Sequence, residues 1–69
     1  MSKLKLTTKE VLDIRAFAKT APDTWRKGQA LFNTLVEIYP EIAETVRGTE
    51  NDPYHRDERI NKFIEFITE

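Results

Sequence analysis

The chain has no cysteine. A disulfide framework and a thiolate zinc site are therefore excluded, and an intracellular address becomes the default expectation. Long apolar runs are missing as well. No stretch approaches the roughly 20 residues that a membrane helix requires, and the opening MSKLKLTTKE lacks the apolar segment of a signal peptide. The expectation is a cytoplasmic protein that does not enter a membrane. Histidine occurs once, which leaves few metal-ligating combinations. Sustained period-two alternation is absent too, so strands are not expected. The chain must instead hold itself together with a helical core. At 69 residues it lies near the lower limit for a single core, so it is read as one domain. With 39% hydrophobic and 33% charged residues it is too apolar to be disordered. A second copy or another partner surface would help so small a core, which leaves homo-oligomerisation open.

Charge is nearly balanced overall, at −1, but unevenly distributed. Up to Gly28 there are seven basic residues (Lys3, Lys5, Lys9, Arg15, Lys19, Arg26, Lys27) against Glu10, Asp13 and Asp23. Beyond it, Arg47, Arg56, Arg59 and Lys62 face nine acidic residues. Such asymmetry steers a charged partner. Head-to-tail self-association, or neutralisation within the molecule, would use it equally well.

Helical periodicity recurs along the chain. After residues 1–6, read as a flexible tail, Thr7 and Glu10 have the spacing of a capping box, in which hydroxyl and carboxylate satisfy orphan backbone N–H groups. A helix from about Thr8 to Lys19 would turn Val11, Ile14, Phe17 and Ala18 inward, with Leu12 beside Ile14. Pro22 pushes Ala21 out of the α region and suits the first turn of a second helix, expected from Pro22 to Tyr39 with Asp23 at its positive end. Its stripe would be Trp25, Gly28, Phe32, Leu35, Val36 and Tyr39, broadened by Leu31 and Ile38. Gly28 costs about 1 kcal/mol relative to alanine in a helix, so its expected use is to let another helix, or a partner, approach closely beside Trp25. Pro40 ends or kinks the helix, and PEIAETVRG reads as a short third one with Gly48 just past its end. Asp52-Pro53 opens a brief turn and Asp57 caps again. Ile60, Phe63, Ile64 and Ile67 then form an unbroken apolar stripe, with Phe66 at its margin. The expected fold is all-α, a compact bundle of three main helices plus one short helix.

The stretch VRGTENDPYHRDERI, residues 46–60, holds most of the candidate chemistry. His55 has Asp52, Asp57, Glu50 and Glu58 nearby, but the spacing is not that of a calcium loop, and zinc with one histidine and no thiolate would be unusual. No metal or other cofactor is expected. Thr49 or Tyr54 beside His55 could be drawn as nucleophile and base, yet nothing positions a third group or an oxyanion hole, so no enzyme is expected. Arg47, Gly48, Thr49 and Arg56 could cradle a phosphate. Against that, Glu44, Glu50, Asp52, Asp57 and Glu58 crowd the same region. A duplex reader would be more basic, and the TAPD turn lacks the glycine usual in helix-turn-helix units. Finally, Trp25, Arg26 and Lys27 combine residue types common in interface hot spots. The plainer reading is that Trp25 closes one end of the core.

Residues 26–66 resemble small proteins encoded by tailed bacteriophages and prophages. The resemblance rests on the Gly-Gln-Ala-Leu-Phe-Asn run from Gly28 to Asn33, Pro40, the Arg47-Gly48-Thr49 triplet, Asp52-Pro53-Tyr54 and the apolar closing helix. It implies a cytoplasmic accessory protein that acts by binding a host or phage component, and it supplies no site residue. The resulting expectation is a non-enzymatic interaction protein with a protein partner. Its candidate surface comprises Trp25, Arg26, Lys27, Arg47, Tyr54, His55 and Arg56. The alternative is a binder of a nucleotide or nucleic acid through Arg47 and Arg56.

Overall fold

The computed structural model describes residues 4–69, and the fold is all-α. Among the described residues there are four α-helices: α1 (Thr8–Ala18), α2 (Lys27–Ile38), α3 (Pro40–Val46) and α4 (Ile60–Ile67). A single 3-10 turn, Asp57–Arg59, leads directly into α4. No helix among them is long and apolar enough to cross a membrane.

The start of α1 follows the sequence signal. Glu10 N–H donates to the Thr7 hydroxyl at 3.2 Å, and the Glu10 carboxylate accepts from Thr7 N–H at 2.9 Å, so two orphan donors are satisfied reciprocally. Val11, Ile14 and Ala18 face the core as expected. Phe17 does not. It is half-exposed, because the turn that sets Val11 and Ile14 inward rotates position 17 to the flank.

Residues 1–6 were expected as a tail, and Leu6 corrects this. It is fully buried, its N–H donates to Ile67 carbonyl at 2.6 Å, and its carbonyl accepts from Glu69 N–H at 2.9 Å. This isolated parallel bridge between Leu6 and Thr68 ties the described ends together. Lys5 reinforces it, donating to Phe66 carbonyl with its ammonium 4.2 Å from the Phe66 ring centre. Residues 1–3 lie outside the described residues. Leu4 and Leu6 alternate with Lys3 and Lys5, but two leucines are too few to set a period, so no local signal marks Leu6 for burial.

The second helix begins five residues later than expected. Pro22 opens a turn closed by Trp25 N–H on Pro22 carbonyl at 3.0 Å, and α2 starts at Lys27. Pro22 and Asp23 therefore belong to the connection, and Trp25, 39% exposed, stands before the helix instead of closing the core. The core is built from Leu6, the inward residues of α1, Ala30, Leu31, Phe32 and Leu35 of α2, Ile42, Ala43 and Val46 of α3, and Phe63 and Ile67 of α4. Pro40 occupies the first turn of α3, and Gly48, at φ +74°, adopts the left-handed conformation that follows a helix end. Both are as the sequence implied.

Candidate functional site

The α2 N-terminus separates two surfaces of different character. One is the loop between α3 and α4, which contains most of the expected site residues. The other is a groove on the opposite flank, next to Lys27.

In the loop, Phe32 is the anchor. The Tyr54 ring meets it edge-on with centres 6.0 Å apart, and Arg47 lies with its guanidinium carbon 5.7 Å from the Phe32 ring centre. His55 stacks edge-on against Tyr54 at 4.7 Å, and Arg26 donates to Tyr54 carbonyl from α2's side. Two of the expected residues, Arg47 and Tyr54, therefore lie against one buried aromatic ring, and Arg26 and His55 join them through Tyr54. Arg56 is drawn elsewhere, to Glu58 at 3.2 Å. Among the described residues neither the Trp25 nor the Lys27 side chain makes a hydrogen bond, ion pair or ring contact with this cluster, and Lys27 lines the groove on the other flank.

The loop's polar groups are largely consumed by the loop itself. Asp52 accepts from Gly48 N–H at 2.8 Å and from Tyr54 N–H at 2.9 Å. Thr49 N–H is held by Val46 carbonyl and Asp52 N–H by Thr49 carbonyl, while Asn51 N–H reaches the Thr49 hydroxyl. Arg59 donates to Thr49 carbonyl at 3.4 Å, and Arg47 pairs with Glu44 at 3.4 Å. A hollow of about 200 Å³ remains between Gly48, Thr49, Asp52, His55, Arg56 and Arg59. Among the described residues no group of three carboxylates, histidines or cysteines is placed to hold a metal ion.

Asp57 departs from its expected role. Instead of capping its own helix, it reaches across the molecule and accepts from Gly28 N–H at 3.1 Å, beside Arg26 at 3.9 Å. The first turn of α2 contains no acidic residue and no side-chain cap of its own. Asp57 supplies both, placing a carboxylate at the positive end of the helix dipole. Gly28 makes the approach feasible: a Cβ there would collide with Pro53 carbonyl oxygen and lie 3.1 Å from the Asp57 carboxylate. The expected close neighbour of Gly28 is thus the loop's backbone, not a helix.

The groove is different. It has a volume of about 250 Å³, with Ala18, Ala30, Leu31 and Ile60 as its apolar wall and Arg15, Lys19 and Lys27 as its charged members. All three cations are exposed, and none makes a hydrogen bond or ion pair with a described side chain. The sequence reading did not combine these residues. A signal was present, since Arg15 and Lys19 are four apart, a like-charge spacing that costs a helix about 0.2–0.5 kcal/mol. Ile60, far along the chain, could be joined to them only by the fold.

Compared with protein-family models, curated proteins and solved structures, the chain matches none.

Proposed function

We propose that this is a non-enzymatic interaction protein, a phage-encoded accessory protein of the bacterial cytoplasm that binds a protein component of host or phage. The observation that carries this reading is the α2 N-terminal corner. There the large aromatic Trp25 is left 39% exposed in a molecule with little core to spare, immediately before Arg26 and Lys27. Burying Trp25 within the molecule would contribute about 1.5–3 kcal/mol. Leaving such a side chain at the surface beside two cations matches the composition of interface hot spots. Arg26, ordered against Tyr54, extends the same corner toward His55. The resemblance of residues 26–66 to phage proteins supports the biological setting.

Affinity capture from nuclease-treated bacterial lysate, with Trp25→Ala as control, tests the reading. One stoichiometric protein lost in the control is the expected result. Recovery of nucleotide or nucleic acid alone, from untreated lysate, would contradict it. That second outcome belongs to the alternative reading, a phosphate-bearing ligand held through Arg47 and Arg56; the hollow lined by Gly48, Thr49, Asp52, His55, Arg56 and Arg59 includes the second of these arginines but not the first. Binding of that kind weakens steeply with salt.

A further inference from the structure

We infer that the groove between α1, α2 and the start of α4 is a docking site for an acidic peptide segment that inserts one apolar side chain. This rests on the reading of the molecule as a protein binder and adds the chemistry of what it binds.

The three cations stand in different relations to the helix dipoles. Arg15 and Lys19 occupy the last turn and C-cap of α1, where positive charge offsets the helix dipole, so the fold itself accounts for those two. Lys27 has no such account. It is the first residue of α2, at the positive end of that helix, where a cation is unfavourable. The fold even recruits Asp57 from the other flank to supply the missing negative charge there. Three like charges thus face one groove without a partner among the described residues, and one of them stands against the local electrostatics. Such an arrangement is complementary to a cluster of carboxylates.

The wall and the size select the rest of the occupant. Ala18, Ala30, Leu31 and Ile60 offer methyl surface and no hydrogen-bonding side-chain group or aromatic plane. A nucleic-acid site would stack bases on aromatics or present donors around a phosphate. The volume, about 250 Å³, falls below the roughly 300–1,000 Å³ of small-molecule sites and suits a single side chain. Leu12 lies three residues before Arg15 on the same helical face and is 59% exposed, which continues the apolar and basic character along α1. An apolar anchor flanked by glutamates or aspartates satisfies wall and cations together.

The test is an amide-resolved NMR titration of the full chain with a short synthetic peptide of glutamates around a central Leu-Phe pair. Two comparison probes accompany it, the same peptide with both apolar residues replaced by serine and a single-stranded oligonucleotide of equal charge. Shifts centred on Ala18, Ala30, Leu31 and Ile60 are expected with the first probe. The serine peptide should bind about tenfold more weakly or worse, as should the Lys19→Glu/Lys27→Glu variant toward the parent peptide. Both substituted lysines are exposed and unpartnered, so an unchanged spectrum elsewhere verifies the variant's fold. Equal binding of the serine peptide, tighter binding of the oligonucleotide, or shifts confined to the loop would each overturn the assignment. Absence of peptide binding overturns it as well. If lysate capture still yields a Trp25-dependent partner, the groove alone falls, whereas failure of both removes the interaction reading too.

Discussion

The two flanks of the α2 N-terminus carry similar residues and use them in opposite ways. On the loop flank, Arg26, Arg47, Arg56 and Arg59 each meet a carboxylate or a carbonyl, and Asp52 and Asp57 accept from backbone N–H groups. On the groove flank, Arg15, Lys19 and Lys27 meet no carboxylate and donate to no carbonyl through their side chains among the described residues. Density of charge in the sequence therefore does not by itself mark where charges are left without a described partner. Where charges are crowded, they satisfy one another and hold a connector in place. Where they are sparse, they remain available to a partner.

The largest effect should come from breaking the loop's seat. Gly28→Val would force the new side chain into Pro53 and Asp57, and we expect a loss of about 3 kcal/mol. For a domain of this size that corresponds to a thermal midpoint lower by about 12–24 °C. An unchanged midpoint would mean the loop is not seated against α2. Asp57→Ala removes the acceptor for Gly28 N–H and the charge at the helix start, at an expected cost of about 2 kcal/mol in urea unfolding, with Asp57→Asn recovering most of it. Gly48→Val meets no neighbouring atom, so only the backbone conformation is penalised. We expect about 1.5 kcal/mol from the left-handed φ of +74°. A thermal midpoint equal to wild type would remove the helix stop assigned there.

Arg56→Ala is expected to change stability by less than about 0.5 kcal/mol, because its pair with Glu58 is solvent-exposed. Smallest of all should be the net effect of Lys19→Glu/Lys27→Glu, where the gain from a glutamate at the positive end of α2 offsets the loss of a cation at the end of α1, leaving the urea midpoint near wild type. A marked destabilisation would show that these lysines serve the fold and would erase the contrast between the two flanks.

Much of the fold was legible because its signals are local. The Thr7–Glu10 capping box, Pro40 at the start of α3, Gly48 after its end and the Ile60, Phe63, Ile64, Ile67 stripe each depend on spacing within a few residues. What escaped depends on contacts distant in sequence. Leu6 is buried by the far end of the chain. Asp57 caps a helix 29 residues away, which no local rule could assign. Pro22 suits a helix start and a turn equally, and the turn closed by Trp25 prevailed. For the site, the loop residues were noticed because they adjoin one another in sequence. The groove joins positions 15, 19, 27 and 60, and only the fold brings them together.

The most direct measurement sets the two flanks against each other. The glutamate peptide with its Leu-Phe centre is titrated against Lys19→Glu/Lys27→Glu and, in parallel, against Arg47→Ala/Arg56→Ala. The lysine variant should lose at least about tenfold in affinity and the arginine variant should bind as wild type does. Loss in the arginine variant with binding retained in the lysine variant would contradict it and return the site to the loop.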